Sequence, residues 1–247
     1  IVDSEMLENA LKPNTALVSV MHVNNELGTI NPLAEIGAVC RDRGILFHSD
    51  AAQSFRKLPI NVDDYDIDIM SMSAHKIGGP KGIGALYIRN LRKLQLEPVI
   101  HGAGQEEGLR GGTVAGPLII GFGAAAEYFP VYFERFKLIA AKDYLLNELS
   151  KEGVSYTING GKMALENCVS LTLPSTDVGR LIRENEMTLC LAQGSACSSK
   201  EIEASHVLVA LGLSRSLADK TLRISFPLDI KLEEIDLLTK AIKQVTN

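Results

Sequence analysis

The sequence predicts an α/β protein in which a larger domain with a mainly parallel sheet precedes a smaller α+β domain. Two observations carry this prediction. Over roughly the first 90 residues, short apolar runs alternate with amphipathic segments, as in sheets whose parallel strands are joined by helices. A long helical stretch then leads into shorter strands and helices. We therefore expect one domain over residues 1–134 and a second over 135–247.

Four strands are expected in the larger domain. They lie at 16–21, 45–48, 67–72 and 84–88. Asn31-Pro32 opens a helix between the first two strands, and Arg43-Gly44 closes it. Because ligands of such sheets usually bind beyond the carboxyl ends of the strands, polar residues at those ends are the candidates for function.

A helical stretch from Gly111 to Leu149, with a break near Phe129-Pro130, is expected to lead out of the larger domain into the smaller one. Its strands are predicted at 155–158, 169–173, 189–192 and 222–226, and its helices at 177–186 and 233–245.

Composition and charge exclude several functional classes. The 30 acidic and 25 basic residues give a net charge of −5 and are spread along the chain, so no basic field for nucleic acid is evident. The apolar run at 117–126 is interrupted by glycines and is shorter than the ~20 residues that span a membrane. The first residues carry no signal-peptide pattern, and a start without methionine indicates a processed, tagged or truncated product.

The four cysteines form no CxxC pair and show no metal-ligand spacing, which fits reduced thiols in the cytoplasm. Cys40 and Cys190 lie in apolar runs and Cys168 adjoins a strand-like run, so these three are expected to be small core residues. Cys197 differs because it lies in a loop of small residues that would leave its sulfur accessible.

The segment 73–82, directly after the third strand, is the strongest local signal. Its lysine, Lys76, is flanked by a hydroxyl, an imidazole and glycine-rich backbone, which suits a phosphorylated aldehyde. Lys76 could form a Schiff base and act as a general base, while Ser73 and His75 could donate to the phosphate. Taken alone, the segment is equally compatible with a surface lysine in a glycine turn.

Asp50 ends the second strand, and Gln53 follows it by one helical turn. A carboxylate paired with a pyridine nitrogen keeps that nitrogen protonated, and an amide can bond a ring hydroxyl. The alternative interpretation of Asp50 is a helix cap, because aspartate is common between a strand and a helix.

Four segments occur in order: His22-Val23-Asn24-Asn25-Glu26-Leu27-Gly28, His48-Ser49-Asp50-Ala51-Ala52-Gln53, Ser73-Ala74-His75-Lys76 and Gly194-Ser195-Ala196-Cys197. Together they resemble the cysteine desulfurases of the NifS and IscS type, within the class V aminotransferase-like family, from about Leu17 to the C-terminus. The resemblance implies the aspartate-aminotransferase-like fold, pyridoxal 5'-phosphate (PLP) as cofactor, and a homodimer. It also implies that L-cysteine is converted to L-alanine while the sulfur stays on the enzyme as a persulfide.

The resemblance also implies roles for individual residues. Lys76 resembles the cofactor lysine, Asp50 the partner of the ring nitrogen and Gln53 the contact of the ring hydroxyl, while Ser73 and His75 match phosphate ligands. Thr113 resembles a threonine that reaches the phosphate of the neighbouring subunit. Its alternative interpretation is a helix N-cap.

Asn25 and Arg223 resemble the family's contacts to the substrate carboxylate, which a guanidinium can bind through two parallel hydrogen bonds. Cys197 resembles the sulfur acceptor. His22, His101 and His206 receive no role, since histidines without partners are more often structural than catalytic.

Family members carry a further segment before the position of Ile1, with a histidine that stacks on the cofactor, and this sequence lacks it. We therefore expect a truncated chain. The alternatives left open are a selenocysteine lyase, another class V PLP enzyme, and an inactive chain that only binds sulfur-transfer partners. The expected partner of an active enzyme is a sulfur acceptor or an iron-sulfur scaffold protein, with no nucleic acid and no membrane involved.

Overall fold

The computed structural model describes residues 1–94, 96–130, 135–193 and 205–247. The chain divides into two compact units. The first consists of Ile1–Val23 and Asn31–Phe133, and the second of Asn24–Ile30 and Glu134–Asn247. A short segment from the N-terminal part of the sequence therefore belongs to the second unit.

The first unit contains a mixed sheet with helices before, between and after its strands. Its elements are α1 (Ser4–Ala10), β1 (Leu17–Met21), α2 (Leu33–Arg43), β2 (Leu46–Asp50), β3 (Ile69–Ser73), a 3₁₀ helix (Ala74–Ile77), β4 (Gly84–Ile88), a second 3₁₀ helix (Glu106–Gly108) and α3 (Gly116–Tyr128). The strands lie in the order β1-β2-β3-β4. The first three are parallel and β4 is antiparallel to β3, so the predicted strands and the mainly parallel sheet are confirmed.

Helix α2 shows why the chain folds back between β1 and β2. It begins after Pro32 and ends at Gly44, which adopts a left-handed φ of 66° and donates its N–H to carbonyls of the last turn. Its apolar face buries Ile36 completely, against a core that contains Phe47 of β2 and Ile67. The proline and glycine signals in the sequence therefore predict both ends of this helix correctly.

The second unit is built on an antiparallel sheet. Its elements are α4 (Arg135–Lys151), β5 (Thr157–Ile158), β6 (Cys168–Thr172), α5 (Val178–Glu184), β7 (Ala192–Gln193), α6 (His206–Ala210), α7 (Arg215–Ala218), β8 (Thr221–Ser225) and α8 (Leu232–Gln244). The strand order is β5-β6-β8-β7. Every residue of β6 is buried, and α4 packs against α8, where the Tyr144 hydroxyl donates to Asp236 at 2.8 Å.

Two local predictions are wrong. Thr113 does not cap a helix, because α3 begins at Gly116 after Ala115, and Pro117 in its first turn fixes the helical φ. Cys190 is exposed, because the apolar run around it is a connection and β7 begins only at Ala192. Cys40 and Cys168 are buried as expected.

No helix in the described ranges combines the length and the apolar character that crossing a membrane requires.

We predict that Gly37→Ala destabilises the first unit by about 1–3 kcal/mol. A Cβ atom at Gly37 of α2 would lie 1.9 Å from the backbone oxygen of Tyr65, so the helix would have to move. Gly123→Ala in α3 is the matched control, because its Cβ would meet no atom within 4 Å. There, alanine should stabilise by about 0.5–1 kcal/mol. Urea unfolding measures both, and equal effects of the two changes would contradict the packing described for α2.

Candidate functional site

The predicted cofactor residues lie at one edge of the sheet in the first unit. In the parallel pair β2–β3, Asp50 is opposite Ser71, so the carboxyl ends of both strands are at the same edge. Asp50 is the last residue of β2. Ser73 is the last residue of β3, and the 3₁₀ helix that follows carries His75 and Lys76. An acidic group and a lysine motif that are separate in the sequence are therefore at the ends of adjacent strands.

Asp50 is half-buried and shapes the chain after β2. Its Oδ1 accepts a hydrogen bond from the backbone N–H of Ala52 at 2.8 Å, which makes a turn. The following residues continue as turns, so the helix-cap interpretation of Asp50 is wrong. The other oxygen, Oδ2, makes no hydrogen bond with a described residue and remains able to accept one. Gln53, also half-buried, lies three residues further on.

The lysine motif is held in a single 3₁₀ turn that ends at Gly78, whose φ of 79° favours glycine. The Ser73 hydroxyl and His75 Nδ1 are 2.8 Å apart. When Ser73 donates this bond, the proton of a neutral His75 resides on Nε2, which is then available as a donor. The side chain of Lys76 is exposed and makes no ion pair or hydrogen bond with the part of the chain that the structure describes.

His48 is a neighbour of this site that the sequence analysis left without a role. It precedes Asp50 by two positions in β2, so both side chains are on the same face of the strand. Its Nδ1 is 2.7 Å from the Ser19 hydroxyl of β1. Burial lowers the pKa of His48, and the charge of Asp50 acts in the opposite direction. The alternation of His48 and Asp50 along a strand is the signal that could have identified it.

His22 follows β1 at the same edge, where its backbone N–H donates to the Asp50 carbonyl at 2.9 Å. The ring is buried and packs edge-on to Tyr65 at 6.5 Å, and its Nδ1 has no hydrogen-bond partner among the described residues. Burial lowers the pKa of His22 to about 4. The histidine is therefore neutral at pH 7, in agreement with the structural role expected for it.

Thr113 lies in the first unit, between the second 3₁₀ helix and α3, directly after Gly112 with its φ of 99°. Its side chain is exposed and forms no hydrogen bond with a described residue. The structure therefore does not bring Thr113 into contact with Asp50 or Lys76.

Asn25 and Arg223 come together within the second unit. Arg223 is a half-buried residue of β8, where it is opposite Ser170 of β6 and Ala192 of β7. Its Nη1 donates to the backbone oxygen of Asn25 at 3.3 Å. This bond uses one of the five N–H groups of the guanidinium and leaves others to bind a carboxylate.

The candidate sulfur acceptor, Cys197, lies outside the described residues. Burial raises the pKa of the Cys40 thiol to about 11, with a further contribution from Asp68, so this thiol is a poor nucleophile at neutral pH.

A cavity of about 680 Å³ in the second unit contains none of the predicted residues. Its wall includes Asp177, Arg215 and Lys220. Asp177 caps α5, and Lys220 donates to the Pro174 carbonyl. Polar groups in this cavity are thus engaged in local structure, and we do not place the functional site there.

Comparison with known proteins identifies the family of the chain that carries these residues. The family model for class-V aminotransferases matches residues 1–238. The chain belongs to the class-V aminotransferase family. The fold class predicted from the four sequence segments is thereby confirmed.

The relatives of this class-V chain include proteins named cysteine desulfurase. It is 43% identical over 242 residues to the mitosomal cysteine desulfurase of Encephalitozoon cuniculi, covering 96% of this chain and 55% of that protein. It is 44% identical over 247 residues to the cysteine desulfurase IscS of Rickettsia typhi, covering 98% of this chain and 60% of IscS. The solved structure of SspA in complex with cysteine is 44% identical, with a TM-score of 0.77, and the match covers 92% of this chain and 63% of SspA. The chain thus spans between half and two thirds of the length of these proteins, and the resemblance to the NifS and IscS type is confirmed.

We predict that the folded state loses stability as the pH falls from about 6.5 to about 4, in part because of His22. The pKa of His22 is lowered in the fold, so below pH 6.5 the unfolded chain binds a proton that the folded chain excludes. His22→Leu should reduce the difference in unfolding free energy between pH 7 and pH 4.5 by about 2 kcal/mol. His101→Leu, at an exposed histidine, is the control. Urea unfolding at both pH values provides the measurement, and an unchanged difference in His22→Leu would contradict a buried neutral ring.

Proposed function

We propose that this chain is the part of a PLP-dependent cysteine desulfurase that contains the cofactor lysine and the sulfur acceptor. One observation carries the proposal: the parallel β2–β3 pair aligns Asp50 and the Ser73-His75-Lys76 turn at one sheet edge. The names of the relatives and the cysteine complex of SspA support cysteine as the substrate. Residues 1–134 form the cofactor domain in this proposal, and 135–247 form the smaller domain.

The residues at the sheet edge fit PLP chemically. The Oδ2 of Asp50, which no described residue bonds, would accept from a protonated ring nitrogen, and Gln53 would bond the ring hydroxyl. His75 offers its Nε2 proton to a phosphate while Ser73 donates to Nδ1, and Ser73 offers its own proton when that bond is released. Lys76, unpaired within the described part of the chain, is the amine that the aldehyde requires. Thr113, exposed and without a partner among the described residues, serves the phosphate of a neighbouring subunit. When bound, PLP supplies an electron sink that lets an amino acid lose its Cα proton.

The protein's own groups then divide the work. Asn25 and Arg223 bind the carboxylate of L-cysteine and fix its orientation. Lys76 moves the proton at Cα, while Asp50 keeps the proton on the ring nitrogen. The Cys197 thiolate attacks the substrate sulfur, so an S–S bond forms as the bond between Cβ and sulfur breaks. Cβ takes a proton and L-alanine leaves, which conserves electrons without an external oxidant or reductant.

Partners and compartment are also part of the proposal. Exposed apolar residues of the first unit support a homodimer, since Ile120 and Tyr128 of α3 and Val99 are 73%, 79% and 95% exposed. The Cys197 persulfide is passed to an acceptor or an iron-sulfur scaffold protein. The free thiols of Cys40 and Cys190 fit the reducing conditions of the cytoplasm.

We predict that Lys76→Ala abolishes the visible absorbance that PLP acquires on binding, because that absorbance requires the lysine amine. Formation of alanine from cysteine should fall by roughly 10²–10⁴-fold, the range expected when a general acid–base group is removed. Lys81→Ala, at an exposed lysine of the same segment, is the matched control and should keep both properties. Retained absorbance and activity in Lys76→Ala would refute the assignment.

We predict that Cys197→Ala stops persulfide formation while the spectrum of bound PLP persists. Mass spectrometry after one turnover with L-cysteine should find the added sulfur on Cys197 in the parent protein and on no cysteine in the variant. Cys190→Ala removes an exposed thiol and should leave the result unchanged. Alanine formation at the parent rate in Cys197→Ala would show that the acceptor is misassigned.

A further inference from the structure

The two faces of the sheet in the first unit differ in character. One face is apolar and places Phe47 and Met70 in the core. The other face carries Asp50 at the carboxyl end of β2 and, two positions earlier in the strand, His48. In the register with β1, His48 lies opposite Ser19. A polar pair therefore lies next to the carboxylate on the same face, on the side away from the sheet edge.

Ser19 holds the His48 ring in place. The Ser19 hydroxyl and His48 Nδ1 are 2.7 Å apart, which is the length of a good hydrogen bond. The two residues are paired in a regular parallel ladder, so this bond joins side chains whose backbones are already fixed. The ring is therefore oriented by the strand next to it.

His48 and Asp50 are close enough for their charges to interact. Residues that are two positions apart in a strand lie about 7 Å apart, and both of these are half-buried, so water screens them only in part. Burial lowers the pKa of His48 from its ordinary value of 6.5, and the charge of Asp50 acts in the opposite direction. The ring is consequently neutral at pH 7 and takes up a proton at lower pH.

No other charged side chain lies on this face of the four described strands. The remaining positions on the face are occupied by apolar residues, serines or glycine. The titratable side chains of His75 and Lys76 follow β3, beyond the end of the strand. Within the sheet, Asp50 is therefore the charge that responds to a proton on His48.

We propose that His48 acts through Asp50 on the ring nitrogen of bound PLP, as a positioning residue that makes PLP binding dependent on pH. This inference rests on the proposed PLP-dependent function. When His48 is neutral, the Asp50 charge is directed to the proton on the ring nitrogen. When His48 is protonated, two cations share one carboxylate, so the nitrogen proton is held less firmly.

The effect is reciprocal, because PLP and the proton on His48 compete through the same carboxylate. A positive ring nitrogen beside Asp50 offsets the charge that favours protonated His48, so PLP should lower the pKa of His48 further. The affinity for PLP should in turn decrease as the pH falls below 6.5, where His48 takes up its proton. We expect about a fivefold contribution from His48, the lower end for coupled sites, because the ring is only half-buried.

His48→Asn removes the titrating ring and keeps a polar side chain that can bond Ser19. The ratio of the PLP dissociation constants at pH 5 and pH 7.5 should be about fivefold smaller in this variant than in the parent protein. His101→Asn, at an exposed histidine of the same unit, is the matched control and should keep the ratio of the parent protein. A merely structural role of His48 would change the affinity without changing its dependence on pH.

The experiment measures PLP binding by visible absorbance between pH 5 and pH 8, together with NMR titration of the His48 ring. The pKa of His48 should fall when the parent protein is loaded with PLP. It should also fall in PLP-free Asp50→Asn, because that change removes the charge that raises it.

The outcomes distinguish the inference from the proposed function. Equal pH dependence of PLP binding in the parent protein and His48→Asn would overturn the inference while the proposed function stood. A parent protein that binds no PLP at any pH would refute the proposed function instead. If His48→Asn does not fold, NMR titration of the parent protein decides: a lower pKa of His48 on loading supports the inference, and an unchanged pKa overturns it.

Discussion

The parallel register between β2 and β3 is the constraint on which the candidate cofactor site depends. It aligns Asp50 with Ser71, so the carboxylate and the turn with Lys76 leave the sheet at the same edge. A shift of one residue would turn Asp50 to the opposite face of the sheet. The buried side chains of Phe47 and Ile67 oppose such a shift, because they would lose their places in the core. The packing of the apolar core thus fixes the position of Asp50 relative to the turn that carries Lys76.

The second unit includes a segment that lies far from the rest of that unit in the sequence, and tertiary contacts hold this segment in place. Asn24–Ile30 follows β1 in the sequence but belongs with residues 134–247. Hydrogen bonds from Leu165 N–H to the Gly28 oxygen, at 2.8 Å, and from Ile30 N–H to the Met163 oxygen, at 3.1 Å, hold it there. Asn25 thereby lies beside Arg223, and Glu26 beside Ser205. The sequence motif from His22 to Gly28 consequently contributes residues to both units.

Local patterns in the sequence were sufficient to predict the strands of the first unit and the turn that carries Lys76. Both depend on signals that extend over a few residues, namely period-two alternation and glycines at the ends of elements. They were not sufficient for Cys190, whose apolar neighbours lie in an exposed connection, or for Thr113, which precedes α3 without capping it. The contact between Glu26 and Ser205 spans 179 positions and arises from tertiary packing alone. No periodicity or spacing could have predicted it.

The most direct test of the account is to locate the lysine that binds PLP. Sodium borohydride reduces the bond between the PLP aldehyde and a lysine amine to a stable one, and peptide mapping by mass spectrometry then identifies the labelled residue. The account predicts a pyridoxyl label on Lys76, in a peptide that follows β3. A label on Lys81 or on another lysine, with Lys76 unmodified, would contradict it.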